Sequence, residues 1–289
     1  MKYITIFFDF EGKWGMPFRA PYNLKKTTAN LLKVLKKYQA KAVFNTCGII
    51  ADKHPDIIKE IQNEDHEIAV HGYEHENFST LNSIDMATIL GKSEKAINKI
   101  IGKNPIGFRA PYLYDPIYYN KKLYKVLRTR GYKWVSNRQI TRIEEIVKIS
   151  GIPKLLSTAL LPLINLSMVL RDSLTNRTVN SLRNILWLFG GKKSFNRSGI
   201  IEIPLVSTMD CFLFGLPKPD SNSSIAQVNK FINILKSHFD QSGDEFNLNF
   251  HDWIIGTSNR IIVLDEILKY VKSKKKITIV TASQLINLK

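Results

Sequence analysis

Four residues in the first 75 of the chain, Asp9, Glu11, His71 and His75, can between them hold a divalent ion and move a proton. His71 and His75 stand four apart, directly after the apolar run 67–70. That spacing predicts one face of a first helical turn at the mouth of a strand, with both imidazoles reaching one metal. Asp9 and Glu11 follow the apolar run 3–8, and two residues apart on a strand their carboxylates point to the same side. One carboxylate can bind the metal while the other stays free as a base, and residue types alone leave open which is which. Two more polar clusters close short apolar runs: Phe108-Arg109-Ala110-Pro111-Tyr112 and Phe250-His251-Asp252-Trp253. Four such strand ends, spread along the chain, are what an α/β barrel uses to build an active site.

The elements that must present these residues follow from periodicity. After the first strand, 24–38 carries Leu31, Leu32, Val34 and Leu35 at helical spacing. A β-rich run over 41–47 ends at Gly48, a helix over 55–63 opens on Pro55, and 66–72 is the next strand. A long periodic helix over 84–101 starts behind Ser83, although Met86 denies it the acidic half of a capping box. Then come a strand over 107–111, a helix over 118–130 and a strand over 132–136. Strands over 200–206 and 245–250 flank a helix over 224–239, and a helix over 260–272 and a strand over 277–281 complete the set. Seven or eight β/α units predict a barrel with parallel strands. Between Gly151 and Ser198 no strand pattern is convincing. An uncharged run over 155–170 precedes Arg171, and Ile185-Leu186-Trp187-Leu188-Phe189 precedes Lys192 and Lys193. The first run is shorter than the ~20 residues of a spanning helix and contains Pro162 and Asn165. An insertion lying in a membrane interface fits this pattern, as does a helical pair packed on the barrel or a dimer contact.

Taken in order, Phe8-Asp9-Phe10-Glu11-Gly12, His71 to His75, Arg109-Ala110-Pro111-Tyr112 and His251 resemble the motifs of the polysaccharide deacetylase (NodB-homology) family, carbohydrate esterase family 4. The resemblance runs from residue 3 to about residue 285. It implies one domain over 1–289, a distorted (β/α) barrel of NodB type with about seven strands and a helical insertion near 151–198. It implies Glu11, His71 and His75 as ligands of a divalent metal, Zn2+ first among the choices, and Asp9 as the base that deprotonates the attacking water. Arg109 orients Asp9, the backbone N–H of Tyr112 after Pro111 stabilises the oxyanion, and His251 protonates the departing amine. Two positions depart from the family pattern. Val135 stands where relatives carry the Asp that polarises the acid histidine, so either Asp210 substitutes or His251 works with a less perturbed pKa. Asn249 replaces a Leu that lines the acetyl-methyl pocket, which opens formyl or another acyl group. Trp14, Tyr22, Tyr114 and Trp253 lie beside motifs as candidate sugar-stacking residues, with Trp253 and Asn249 counted among substrate-binding positions. His54, His66 and His238 read as surface or cap residues.

The formal charge is +17, and residues 121–200 hold sixteen basic against three acidic residues. Such a field favours an anionic partner: a phosphate-bearing substrate or an anionic membrane surface. Nucleic acid calls for interleaved aromatic and basic residues, which this diffuse region lacks. Two cysteines, Cys47 and Cys211, make no disulfide framework. No signal-peptide pattern precedes the first strand, so the expectation is a cytoplasmic protein, peripheral at the inner face of the cell membrane through 155–189. The implied function is a metal-dependent N-deacylase, a deacetylase or deformylase. Its substrate is then an amino sugar in a lipid-linked surface-polysaccharide or glycolipid precursor. The alternatives are a cyclic amide or imide hydrolase of the same fold, as in relatives of the allantoinase type, and a catalytically silent membrane-surface protein. Joint retention of Asp9, Glu11, His71, His75, Arg109 and His251 argues against the silent form.

Overall fold

The apolar run at the amino terminus becomes the axis of the sheet. In a computed structural model, which describes residues 1–12, 22–112, 120–138, 193–197, 199–205, 210–215, 217–218 and 221–288, strand β1 (Lys2–Phe10) is buried from Ile4 onward. A strand covered on both faces needs such a run, and parallel neighbours are its usual setting. Beyond β1 come β2 (Val43–Thr46), β3 (Glu67–Val70), β4 (Gly107–Phe108) and β5 (Trp134–Val135), each parallel to the last. Strand β6 (Phe195–Arg197) pairs antiparallel with β7 (Ile200–Glu202), which in turn lies parallel to β5. Strand β8 (Glu245–His251) runs along the opposite edge of β1, from Tyr3 beside Glu245 to Asp9 beside His251. Strand β9 (Ile277–Ile279) pairs with Lys2–Ile4, so β2 and β9 divide the edge that β8 leaves.

Helices cover the outside of this curled sheet. They are α1 (Leu24–Lys37), α2 (Gly48–Lys53), α3 (Pro55–Asn63), α4 (Ser83–Ile101), α5 (Lys121–Thr129), α6 (Asp210–Phe214), α7 (Ile225–Gln241), α8 (Asp252–Ile255), α9 (Ile261–Lys272) and α10 (Ala282–Asn287). Their starts are chemically marked: Asn23, Asn82 and Asn120 cap α1, α4 and α5 by accepting backbone N–H groups, and Ser224 and Thr281 form capping boxes with Gln227 and Gln284. The cap of α4 is thus Asn82 rather than the expected Ser83. Its carbonyl oxygen takes the N–H of both Ile84 and Asp85, so no acidic residue at 86 is needed.

Among the described residues no backbone ladder joins β7 to β8, and side chains bridge that seam instead. Asn247 donates its amide to the Pro204 carbonyl at 3.0 Å, and the Glu245 carboxylate accepts the Ser194 N–H and hydroxyl. The result is the distorted barrel expected, with nine strands among the described residues. The additional β6 contradicts the absence of strand pattern up to residue 198: Ser194 anchored on Glu245 and a left-handed Gly199 (φ +84°) let a short hairpin form without a long apolar run. The apolar stretch 155–189 and its proposed membrane contact lie outside the described residues. No described helix is long and apolar enough to cross a membrane.

Inside the barrel Phe7 packs against Trp134, ring centroids 5.7 Å apart, and the indole N–H of Trp134 donates to Glu67 at 2.9 Å. The space for that indole exists because residue 107 is glycine: a Cβ there would sit 1.9 Å from the ring.

Candidate active site

At the carboxyl end of β1, Glu11 turns its Oε2 to 2.7 Å from His75 Nε2 and 3.5 Å from His71 Nε2. The histidines are not brought together by helical pitch. Residues 71–77 form no helix, and the chain doubles back through left-handed Gly72 (φ +74°) and His75 (φ +62°), which sets the two rings 5.1 Å apart. Glu76 braces the turn by accepting the N–H groups of Tyr73 and Glu74 at 2.8 and 2.9 Å. Positive φ at a histidine is strained, and such strain persists only where the surroundings enforce it.

His71 Nδ1 lies 2.8 Å from the Arg109 carbonyl, which can only accept. Nδ1 therefore carries the proton and Nε2 presents its lone pair inward. His71 Nε2 and Glu11 Oε2 are buried and have no well-aligned hydrogen-bond partner among the described residues. One ligand atom from each of Glu11, His71 and His75 lies within 4.8 Å of the others. Two imidazole nitrogens and one carboxylate oxygen, convergent and with His71 Nε2 and Glu11 Oε2 unpartnered, fit a divalent ion with positions left over for water and substrate. Burial alone would raise the Glu11 acid, but His75, and the closeness of both imidazoles to its carboxylate, hold it well below the usual range. Burial pulls His75 down, yet Glu11 beside it leaves it raised.

Asp9 sits one step inward, surrounded by donors. Its Oδ1 is 2.7 Å from Arg109 Nε and accepts the Asn45 amide at 3.1 Å; its Oδ2 accepts the Asn249 amide at 3.0 Å and faces His251 Nε2 at 3.8 Å. Burial would lift this acid, but Arg109, then His71 and His251, keep it lowered. Fully buried Arg109 is held from behind by the Ser136 carbonyl at 2.8 Å. On the far side, His251 Nδ1 lies 2.6 Å from Asp210 Oδ1, while Asp210 Oδ2 accepts the His251 N–H at 2.8 Å. Burial pulls the imidazole down, but Asp210, helped by Glu11 and Asp9, pushes it up to about 10. After Pro111, Tyr112 takes φ +56° and stacks its ring edge-on against His75 at 4.5 Å, and the Ala110 N–H is fixed by Asn137 at 2.8 Å.

A family model described as polysaccharide deacetylase matches residues 2–135. A peptidoglycan-N-acetylglucosamine deacetylase of Bacillus cereus is 32% identical over 117 residues, 36% of this chain and 42% of the relative. Over these residues the chain is similar to polysaccharide deacetylases. It spans less than half the length of that curated relative. The fold is also that of a family 4 carbohydrate esterase from Streptomyces lividans (TM-score 0.53, 14% identity, covering 96% of this chain and 90% of that one). The PuuE allantoinase shares it too (TM-score 0.67, 11% identity, 99% and 89%).

The structure brings Asp9, Glu11, His71, His75, Arg109, Pro111, Tyr112 and His251 to one end of the barrel, and it places their neighbours as follows. Asp210, one of the two alternatives, is the residue that partners His251. Asn249, paired beside Phe7 in the β1–β8 register and fully buried, donates its amide to Asp9. Trp253 is 1% exposed and donates to Glu11, so it is no stacking platform. Tyr22 donates its hydroxyl to Asp252. Trp14 and Tyr114 lie outside the described residues. His54 is the cap between α2 and α3 as expected, whereas His66 and His238 are buried, His66 because its Nδ1 accepts the Ala42 N–H at 3.2 Å between packed strands. Asn45 escaped sequence reading, although an amide inside the apolar run of β2 was a usable signal.

Proposed function

We propose that this protein is a metal-dependent N-deacylase that hydrolyses the amide of an N-acylated amino sugar. One observation carries the reading: a buried two-histidine, one-carboxylate cluster flanked by a charged carboxylate, Asp9, and an imidazole, His251, paired to its own aspartate. Glu11, His71 and His75 would hold the ion, which when bound supplies a Lewis acid and a more acidic water. Asp9 takes the proton of the attacking water, its lone pairs aimed by Arg109, Asn45 and Asn249. His251, charged through Asp210, gives a proton to the leaving nitrogen. The backbone N–H of Tyr112 is the donor for the developing oxyanion.

The named activity of the Bacillus cereus relative supports an N-acetylglucosamine-type substrate. The finer reading is Zn2+ as the ion and a phosphate-bearing or lipid-linked precursor met at the cytoplasmic face, with 155–189 against the membrane, in a single-domain chain. It rests on the ligand chemistry and on the basic, apolar character of that segment. The test is metal content by elemental mass spectrometry in the wild type and in His75→Ala, followed by amine release from N-acetylated and N-formylated sugar oligomers and from a cyclic amide. About one ion per chain, lost in the variant, with release from the sugars supports the reading. An apo wild type after incubation with zinc or cobalt, or turnover of the cyclic amide alone, overturns it.

A further inference from the structure

Where β8 passes into α8, three consecutive side chains reach different partners. His251 goes to Asp210 and Asp9, whereas Asp252 and Trp253 both go to Glu11. Asp252 Oδ1 accepts the Glu11 N–H at 3.2 Å, and Trp253 Nε1 donates to Glu11 Oε1 at 2.8 Å. Asp252 is in turn held by the Tyr22 hydroxyl on its other oxygen. Glu11 is thus pinned at its main chain by a carboxylate and at one carboxylate oxygen by an indole. An indole N–H is a donor only, so the oxygen it occupies is turned away from any cation. Oε2 alone faces His71 and His75.

We infer that Trp253, with Asp252 behind it, is a positioning residue that makes Glu11 a one-oxygen ligand of the divalent ion. The inference rests on the metal reading above. A glutamate free to turn offers both oxygens and fills two coordination positions; with Oε1 held, one more position stays open for water and substrate. Nothing in packing alone asks for this arrangement. Phenylalanine would fill most of the same volume, but it would leave Oε1 buried without its donor. The same corner that delivers the acid histidine therefore also sets the coordination number of the metal.

The test is metal affinity, measured by competition with a chromophoric chelator, together with the ligand-field spectrum of the Co2+ form. Three proteins are compared: wild type, Trp253→Phe, and a chain carrying 3-benzothienylalanine at 253, which keeps the shape of indole and lacks its N–H. The last keeps the test open should Trp253→Phe fail to fold. The expected result is metal affinity weaker by about 10–100-fold, as for other lost outer partners, with Co2+ bands shifted towards higher coordination. In a Glu11→Asp background, whose shorter carboxylate falls away from the indole, removing the N–H costs no further affinity. Wild-type affinity and wild-type Co2+ bands in both Trp253 variants overturn the inference while leaving the metal reading standing. So does an equal loss in the Glu11→Asp background. A wild type that takes up no metal overturns the reading beneath it and the inference with it.

Discussion

Asp210→Asn is the substitution on which the assignment of His251 turns. It removes a charge 2.6 Å from His251 Nδ1 while keeping the size of the side chain and an oxygen that can still accept the Nδ1 proton. In the folded protein the imidazole is pushed from 6.5 to about 10 against the opposing effect of burial, with Asp210 ahead of Glu11 and Asp9. At about 1.36 kcal/mol per pH unit, this preference for the protonated form is of the order of 5 kcal/mol. A single close counter-charge moves a neighbour by about 1–3 units, so the variant is expected to titrate about 2 units lower. The assay is 15N-histidine NMR of metal-free wild type and variant across pH 5–11. Turnover should follow, with the alkaline limb of the rate profile moving down and kcat falling by up to the ~10²–10⁴ attributable to a general acid. Linkage fixes a further sign. Because the folded value is raised, the stabilisation is complete below 6.5 and fades as pH rises through about 10. The variant is therefore most destabilised at acid pH and approaches the wild type near pH 10. An unchanged His251 titration in Asp210→Asn would falsify the pairing of acid and counter-charge.

Three further outcomes follow from described contacts. His66 is lowered to about 4 by burial and by Lys41, so the folded state binds fewer protons than the unfolded state between pH 6.5 and 4. Metal-free protein should lose roughly 3 kcal/mol across that window as pH falls, and His66→Asn, which keeps an acceptor for Ala42, should flatten the slope; an equal slope in both proteins removes His66 as its cause. Gly107→Ala places a Cβ 1.9 Å from the Trp134 ring, and chemical denaturation should show a loss of at least ~3 kcal/mol, the upper part of the overpacking range. A loss under ~1 kcal/mol would mean the indole has room to move. Arg109→Lys keeps the charge but cannot bridge Asp9 and the Ser136 carbonyl together, so kcat should fall by at least ~10-fold with KM held. Wild-type kcat in that variant would reduce Arg109 to a counter-ion.

Much of the site was legible because its residues close strands. The run 3–8, followed by Asp9 and Glu11, announces both the axis of the barrel and its chemistry, and His251 follows another such run. What the chain order does not display is which side chains meet across the barrel. Asn249 and Trp253 stood near the right motifs, yet their partners, Asp9 and Glu11, are set by the parallel register of β1 and β8. Asp210 could be named only as one of two alternatives, since its neighbours along the chain carry no information about the imidazole it faces. The short helices α2, α6, α8 and α10 have too few turns for periodicity to reveal, and β6 depends on Gly199 and Glu245 rather than on its own composition. The His71–His75 pair shows the converse: helical spacing suggested the right contact for a wrong local reason, since a left-handed turn achieves it.

The pairing of β1 with β8 also bears on how the molecule comes into being. Glu11 and Trp253 are 242 residues apart. At about 5–20 residues per second, the first strand emerges roughly 12–48 s before the indole that clasps its glutamate. During that interval β1, the longest described strand, has one whole edge without its partner, the kind of surface that recruits chaperones or other chains. Glu11, His71 and His75 all come from the first 75 residues of the chain, so a thiol-free ion site can take shape early, but with both glutamate oxygens at liberty. Moving the chain ends so that β8 and β1 become neighbours in sequence would turn one of the most distant pairings of the fold into a local one, and faster folding is the corresponding consequence.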